Sequence, residues 1–234
     1  MWFDELPSGS SWTVLWRDLI ICPECEAIRP VDALCPICRN ALPPFKEIDV
    51  ELPDGRRQIP QMVFMGAEGR YEDYVYLRMI EREWKRPIVD TDYFLELPES
   101  ERPSPRASVV PLFWTYFETR MERLLRRGMR DVPSNLMEDT LRRYSFVGAR
   151  LERLYNIMFD STYFADLKEL GFAAVAEHLG EVQRRRNRFS HGNPKAIDDA
   201  LVKSVVEGLK QEHEAWIAVF NRRTTKIQKK NNAA

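Results

Sequence analysis

Apolar residues in the second half of the chain return every three or four positions, and those in the first half do not. From residue 106 onward this period predicts helices. Val110, Trp114, Phe117, Met121 and Leu124 mark one of about five turns, stopping near Gly128. Met137, Leu141, Tyr144, Leu151, Leu154 and Met158 mark a second, which begins after Pro133-Ser134 with Ser134 as its cap. A shorter helix over 162–170 closes at Gly171. The next carries Phe172, Val175, Leu179, Val182 and Phe189 and ends at Gly192-Asn193-Pro194, where both glycine and proline act as stops. A last helix, over about 196–223, turns Ile197, Leu201, Val205, Leu209, Trp216 and Phe220 inward. The expectation is an antiparallel helical bundle.

The first half is patterned differently. Residues 45–50 alternate apolar and charged, Pro53-Asp54-Gly55 makes a turn, and residues 58–65 return, which predicts a hairpin. Residues 72–85 form a short helix ended by Pro87. Between the halves, Pro98, Pro103 and Pro105 exclude a regular helix or a central strand, so 97–105 is expected as a linker. The predicted class is α+β: a small N-terminal module at 1–96, the linker at 97–105, an all-α bundle at 106–225 and a frayed basic tail at 226–234.

Composition adds that a sizeable core can form, since 44% of the 234 residues are hydrophobic. No apolar run approaches the roughly 20 residues that cross a bilayer, and the N-terminus has no basic region ahead of an apolar one. A cytoplasmic protein with no membrane partner is expected. The net charge of -1 conceals an asymmetry. Residues 1–105 hold 12 Lys/Arg against 20 Asp/Glu, and residues 106–234 hold 23 against 16. Basic clusters at 120–153, 184–188 and 222–230 suit a polyanion, although solvated helix faces give the same pattern.

All four cysteines fall in two pairs of equal spacing, Cys22-Pro23-Glu24-Cys25 and Cys35-Pro36-Ile37-Cys38. Each pair can fold into a knuckle presenting two thiolates, and two knuckles complete a tetrahedral soft-ligand set for one structural Zn2+. Two disulfides are the competing reading, disfavoured in a reducing compartment. Four thiolates leave no open coordination position, so the zinc is expected to staple a segment too small to hold its own core.

A second constellation lies in Arg184-Arg185-Arg186-Asn187-Arg188-Phe189-Ser190-His191-Gly192. Val175, Leu179 and Val182 recur at intervals that make Arg186 the next inward position, where a leucine would be ordinary. A half-buried guanidinium marks an ion pair or a functional site. Asn187 and His191 stand on a neighbouring face, and the three side chains can converge on one ligand. The set suits attack of a ribose 2′-hydroxyl on its adjacent phosphate: His191 as proton shuttle, Arg186 holding the phosphate, Asn187 orienting either. No metal is needed for that chemistry. The plain alternative is that Arg186 and His191 neutralise a helix C-terminus. Glu118 on the first bundle helix is a further candidate, able to pair with Arg186. His178 and His213 lie near apolar stripes and are read as core histidines, and the aromatic group at 113–117 as core or dimer seam.

The segment Arg186-Asn187-Arg188-Phe189-Ser190-His191 resembles the Arg-polar-x-x-x-His signature of the HEPN superfamily of ribonucleases, and its place near the end of a penultimate long helix is similar too. The resemblance covers about residues 106–225. It implies a homodimer, or a larger homo-oligomer, whose paired Arg/His sets form an RNA-cleaving cleft. It also implies a toxin or effector of antiphage defence. A zinc module ahead of such a domain resembles the ring-activated zinc-finger RNases of bacterial antiphage defence, which implies a phage protein as trigger. The rival class is non-catalytic: a zinc-knuckle nucleic-acid-binding regulator or a helical adaptor.

Overall fold

Helices fill most of residues 71–224, and two small antiparallel ladders precede them. The computed structural model describes residues 15–16, 19–30, 33–41, 50–51, 57–58, 71–89, 92 and 94–225. Strand β1 (Leu19–Ile21) pairs with β2 (Ile28–Pro30), which places Leu19 opposite Pro30. Strand β3 (Val50–Glu51) pairs with β4 (Arg57–Gln58), within the expected hairpin. The remainder of that hairpin and the tail from 226 lie outside the described residues.

Helix α1 (Tyr71–Lys85) packs on α2 (Val109–Gly128), and α2 packs on α8 (Asp199–Thr224). Helices α6 (Tyr163–Glu169) and α7 (Ala173–Ser190) complete the bundle. Most stripe positions read from the sequence are buried, with Trp114, Phe117, Leu179, Val205, Trp216 and Phe220 fully enclosed, while Met137, Tyr144, Met158, Phe172 and Phe189 are only partly buried. Each enclosed side chain contributes about 1.5–3 kcal/mol by leaving water. Leu15, Trp16, Leu19, Ile28, Leu77 and Ile80 join the same apolar cluster, so the core is continuous with residues N-terminal to the bundle.

The expected linker is docked. Ser104 donates its amide to the Ile197 carbonyl at 2.9 Å and its hydroxyl to Asp199 at 2.5 Å, while Arg86 reaches the Pro105 carbonyl at 2.9 Å. The long helix expected over 134–158 is also interrupted. Helix α3 (Ser134–Arg143) ends at Tyr144, and the chain resumes as α4 (Val147–Ala149), a π-helical stretch (Arg150–Leu154) and α5 (Tyr155–Phe159). Arg150 makes the break tenable, because its guanidinium donates to the Tyr144 carbonyl at 2.8 Å and the Leu141 carbonyl at 3.4 Å. Ser134 makes no side-chain cap; Pro133 occupies the cap position. A Cβ on Gly128 would lie 2.6 Å from Met158 Cε and 2.7 Å from Phe159 Cζ, so a larger residue there would displace the tips of those side chains.

Charges also enter the core. Arg120 on α2 pairs with Glu212 on α8, both enclosed. Arg123 pairs with Asp73 of α1 at 2.7 Å. Arg120 lies 4.0 Å from the Tyr116 ring centroid and 5.6 Å from that of Trp216, so aromatic faces receive the part of the guanidinium that Glu212 does not. Trp16 donates to the Tyr116 hydroxyl at 3.0 Å and meets His213 edge-on at 4.6 Å. Burial, together with the nearby Arg120 charge, pushes His213 down to about 3, which keeps it neutral near pH 7. His213 is therefore a core residue, and His178 is half-buried against Ser204 at 3.1 Å.

Candidate functional site

The two cysteine pairs fold identically. Cys22 N–H donates to Ala27 and Glu26 N–H to Cys22; Cys35 N–H donates to Asn40 and Arg39 N–H to Cys35. In each knuckle the residue after the second cysteine, Glu26 or Arg39, sits at φ 64° or 63°. The fold brings Cys22 Sγ to 3.6 Å from Cys38 and Cys25 Sγ to 3.5 Å from Cys35, and all four sulfurs lie within 4.8 Å of one another. A tetrahedral ion with bonds of about 2.3 Å needs sulfurs roughly 3.8 Å apart, so the four cysteines can hold one metal ion. They are free thiols, not disulfides. Burial raises the Cys25 thiol to about 12; at Cys22 burial is outweighed by backbone amides of Cys25 and Glu24, which bring it down to about 7.

Among the described residues, polar contacts bind this module to the bundle. Glu26 accepts from Arg127 at 2.6 Å and from Arg130. Asn221 of α8 clamps the edge of β2, accepting from Ile28 N at 2.7 Å and donating to Ile28 O at 2.8 Å. Trp16 supplies another. Within the module, fully buried Arg29 donates to the Asn40 carbonyl at 2.8 Å and to Ala33, bracing the second knuckle. None of these residues was singled out by the sequence. About one metal ion per chain is expected in the purified protein, and Cys22→Ser or Cys35→Ser should lose it. Elemental analysis reads this directly, and full metal content in either variant would refute the site.

Helix α7 carries the second constellation at its C-terminal end. Arg184 pairs with Glu181, and Arg185 donates to the Ala196 carbonyl and pairs with Asp198, both at 2.6 Å. Arg186 differs. It is half-buried, as its inward position predicted, and donates to Asn187 Oδ1 at 3.2 Å with no carboxylate partner among the described residues. His191 caps the helix, its N–H reaching the Asn187 carbonyl at 3.0 Å, and its imidazole is exposed. Gly192 follows at φ 89°, a conformation that suits glycine and turns the chain out of the helix. Arg186, Asn187 and His191 thus share one helix end, and neither Arg186 nor His191 has a carboxylate partner among the described residues.

Glu118 lies elsewhere. It lines an open groove with Glu72, Thr119, Glu122, Arg126 and Arg150, between α1, α2 and the π-helical stretch. No ion pair joins it to Arg186 among the described residues.

The two sites occupy opposite ends of the bundle. Asp198, tied to Arg185, and Asn221, tied to Ile28, are separated by 23 residues of one helix, or about 35 Å. Among the described residues no helix is long and apolar enough to cross a membrane. No family model matches the chain, and neither a curated protein nor a solved structure does.

Proposed function

We propose that the chain is a metal-independent endoribonuclease with a zinc-stapled N-terminal module, acting as an effector of antiphage defence in the cytoplasm. One observation carries this reading: Arg186, held only by Asn187 and without a carboxylate partner among the described residues, shares one helix end with the exposed His191. Arg184 and Arg185 pair with carboxylates, and exposed Arg188, like Arg186, forms no ion pair among the described residues. The zinc identity follows from the ligand type, since four thiolates in tetrahedral reach suit that ion.

In the reaction, His191 removes the proton from a ribose 2′-hydroxyl, whose oxygen attacks the adjacent phosphorus. Arg186 holds the phosphate through a planar fork of donors and opposes the charge that accumulates on its oxygens. The bond to the 5′-oxygen breaks as that oxygen gains a proton, which a second copy's imidazole supplies if two Arg/His sets face one another. A homodimer therefore belongs to this reading, and a phage protein sensed by the zinc module is its trigger.

Cleavage is expected to persist in EDTA, to leave 2′,3′-cyclic phosphate and 5′-hydroxyl ends, and to spare DNA, which lacks the attacking hydroxyl. End-group analysis of a labelled RNA decides it. Activity that requires magnesium and leaves 5′-phosphate ends would make the Arg/His set structural and favour a nucleic-acid-binding role.

A further inference from the structure

Between Glu181 and Asp198 the chain carries Arg184, Arg185, Arg186, Arg188 and Lys195 and no acidic residue. The fold answers these charges unequally. Arg184 takes Glu181 and Arg185 takes Asp198, whereas Arg186 and Arg188 have no carboxylate partner among the described residues. Lys195 is answered from a distance. Its ammonium donates to both carboxylate oxygens of Glu101 at 2.6 Å, and Glu101 stands 94 residues away in the docked segment 97–105.

Neither partner is loosely placed. Asn193 N–H donates to the Arg188 carbonyl at 3.0 Å, Ala196 N–H to the Asn193 carbonyl at 3.1 Å, and the Ala196 carbonyl accepts from Arg185 at 2.6 Å. Lys195, in the 3₁₀ turn Pro194–Ala196, is thereby folded back against the end of α7 that carries Arg186 and leads into His191. Glu101 closes a second 3₁₀ turn, Glu99–Glu101, and its N–H reaches the Pro98 carbonyl at 2.8 Å. Ser104 fixes the same segment to Ile197 and Asp199. The segment is thus docked on residues 195–199, just past His191.

A carboxylate and a phosphate diester offer an ammonium the same thing, one negative charge shared by two oxygens. RNA carries such a group on every nucleotide, so a strand whose scissile phosphate lies on Arg186 brings others to the same helix end. Both side chains of the pair are open to solvent, Lys195 at 43% and Glu101 at 47%, and an exposed pair is separated at little cost. Lys195 can exchange one partner for the other.

We propose that Lys195 is an RNA-phosphate contact of this helix end and that Glu101 occupies it in the phosphate's place. Docking of residues 97–105 then weakens RNA binding, and their release strengthens it. RNA as the polyanion rests on the ribonuclease reading; the exchange at Lys195 needs no chemistry from His191.

The test measures binding of the full chain, by anisotropy across a salt series, to a fluorescent RNA of about 20 nucleotides, 2′-O-methylated so that no 2′-hydroxyl can attack. Glu101→Gln should tighten binding about two- to fivefold and steepen the fall of log K with log salt by about 0.7, the value of one added phosphate contact on a single strand. Lys195→Gln in the same chain should remove both gains. Glu99→Gln removes an equal charge from an exposed side chain with no ion pair among the described residues, and it should leave the slope unchanged. Binding of Glu101→Gln equal to wild type, a gain that survives Lys195→Gln, or an equal gain from Glu99→Gln would each overturn the exchange. Cleavage of unmodified RNA by the same preparations separates the two failures. If wild type cleaves and Glu101→Gln binds no tighter, the exchange alone is wrong; if wild type binds no RNA at any salt, the ribonuclease reading falls with it.

Discussion

His191→Ala is expected to lower RNA cleavage by roughly 10²–10⁴-fold, the usual contribution of a positioned acid or base. Arg186→Ala should be of similar severity, because removing a preorganised donor from a developing negative charge costs about 10²–10³-fold. Arg186→Lys should rescue poorly, since an ammonium cannot present two parallel donors to a phosphate. Arg184 supplies the control: it stands two residues away on the same helix but is held by Glu181, and Arg184→Ala should leave the rate unchanged. Single-turnover rates on one labelled RNA separate these outcomes. If His191→Ala and Arg186→Ala both match wild type, the end of α7 does no chemistry.

Glu212→Ala is expected to destabilise the fold by about 3–5 kcal/mol, since it strands the Arg120 guanidinium in the core without its counter-charge. At this chain length each kcal/mol lowers the midpoint by about 2–4 °C, so a drop of more than about 6 °C should be plain in a thermal scan. The double replacement Arg120→Met, Glu212→Leu should be far milder than the sum of the singles, because no charge is then left unpaired. Burial alone already raises the Glu212 pKa against the pull of Arg120, so the carboxylate depends on that partner to stay ionised. Additive losses across the double-mutant cycle would show that the two residues act independently.

The helices and the cysteine set were legible in the sequence for different reasons. Helix stripes such as Val175, Leu179 and Val182 are written every three or four residues, and the equal spacing of Cys22/Cys25 and Cys35/Cys38 encodes the knuckle locally. The break after Arg143 was not legible: Leu141, Tyr144 and Leu151 continue one stripe across it, and the only glycine nearby, Gly148, comes after the chain has already left α3. What permits it is Arg150, six residues on from the carbonyl it satisfies. The docking of residues 97–105 was hidden likewise, because Ser104 answers to Asp199, 95 residues away. Glu26 and Asn221 were missed for the same reason. Their partners are 101 to 193 residues distant, and local pattern carries no such pairing. At the candidate site the three residues Arg186, Asn187 and His191 were readable together because they share one helix end, whereas Glu118 was placed by helix phase alone, which does not say which neighbour a surface faces.

The 26-residue α8 is gripped at both ends, by Asn221 against the metal-binding module and by Asp198 against Arg185. Mechanically it is a lever. A tilt of about 5° imposed at the Asn221 end moves the other end by about 3 Å over its length of roughly 35 Å. A small rotation at the metal-binding module is therefore enlarged at the far end of α8, where Asp198 holds Arg185 of α7.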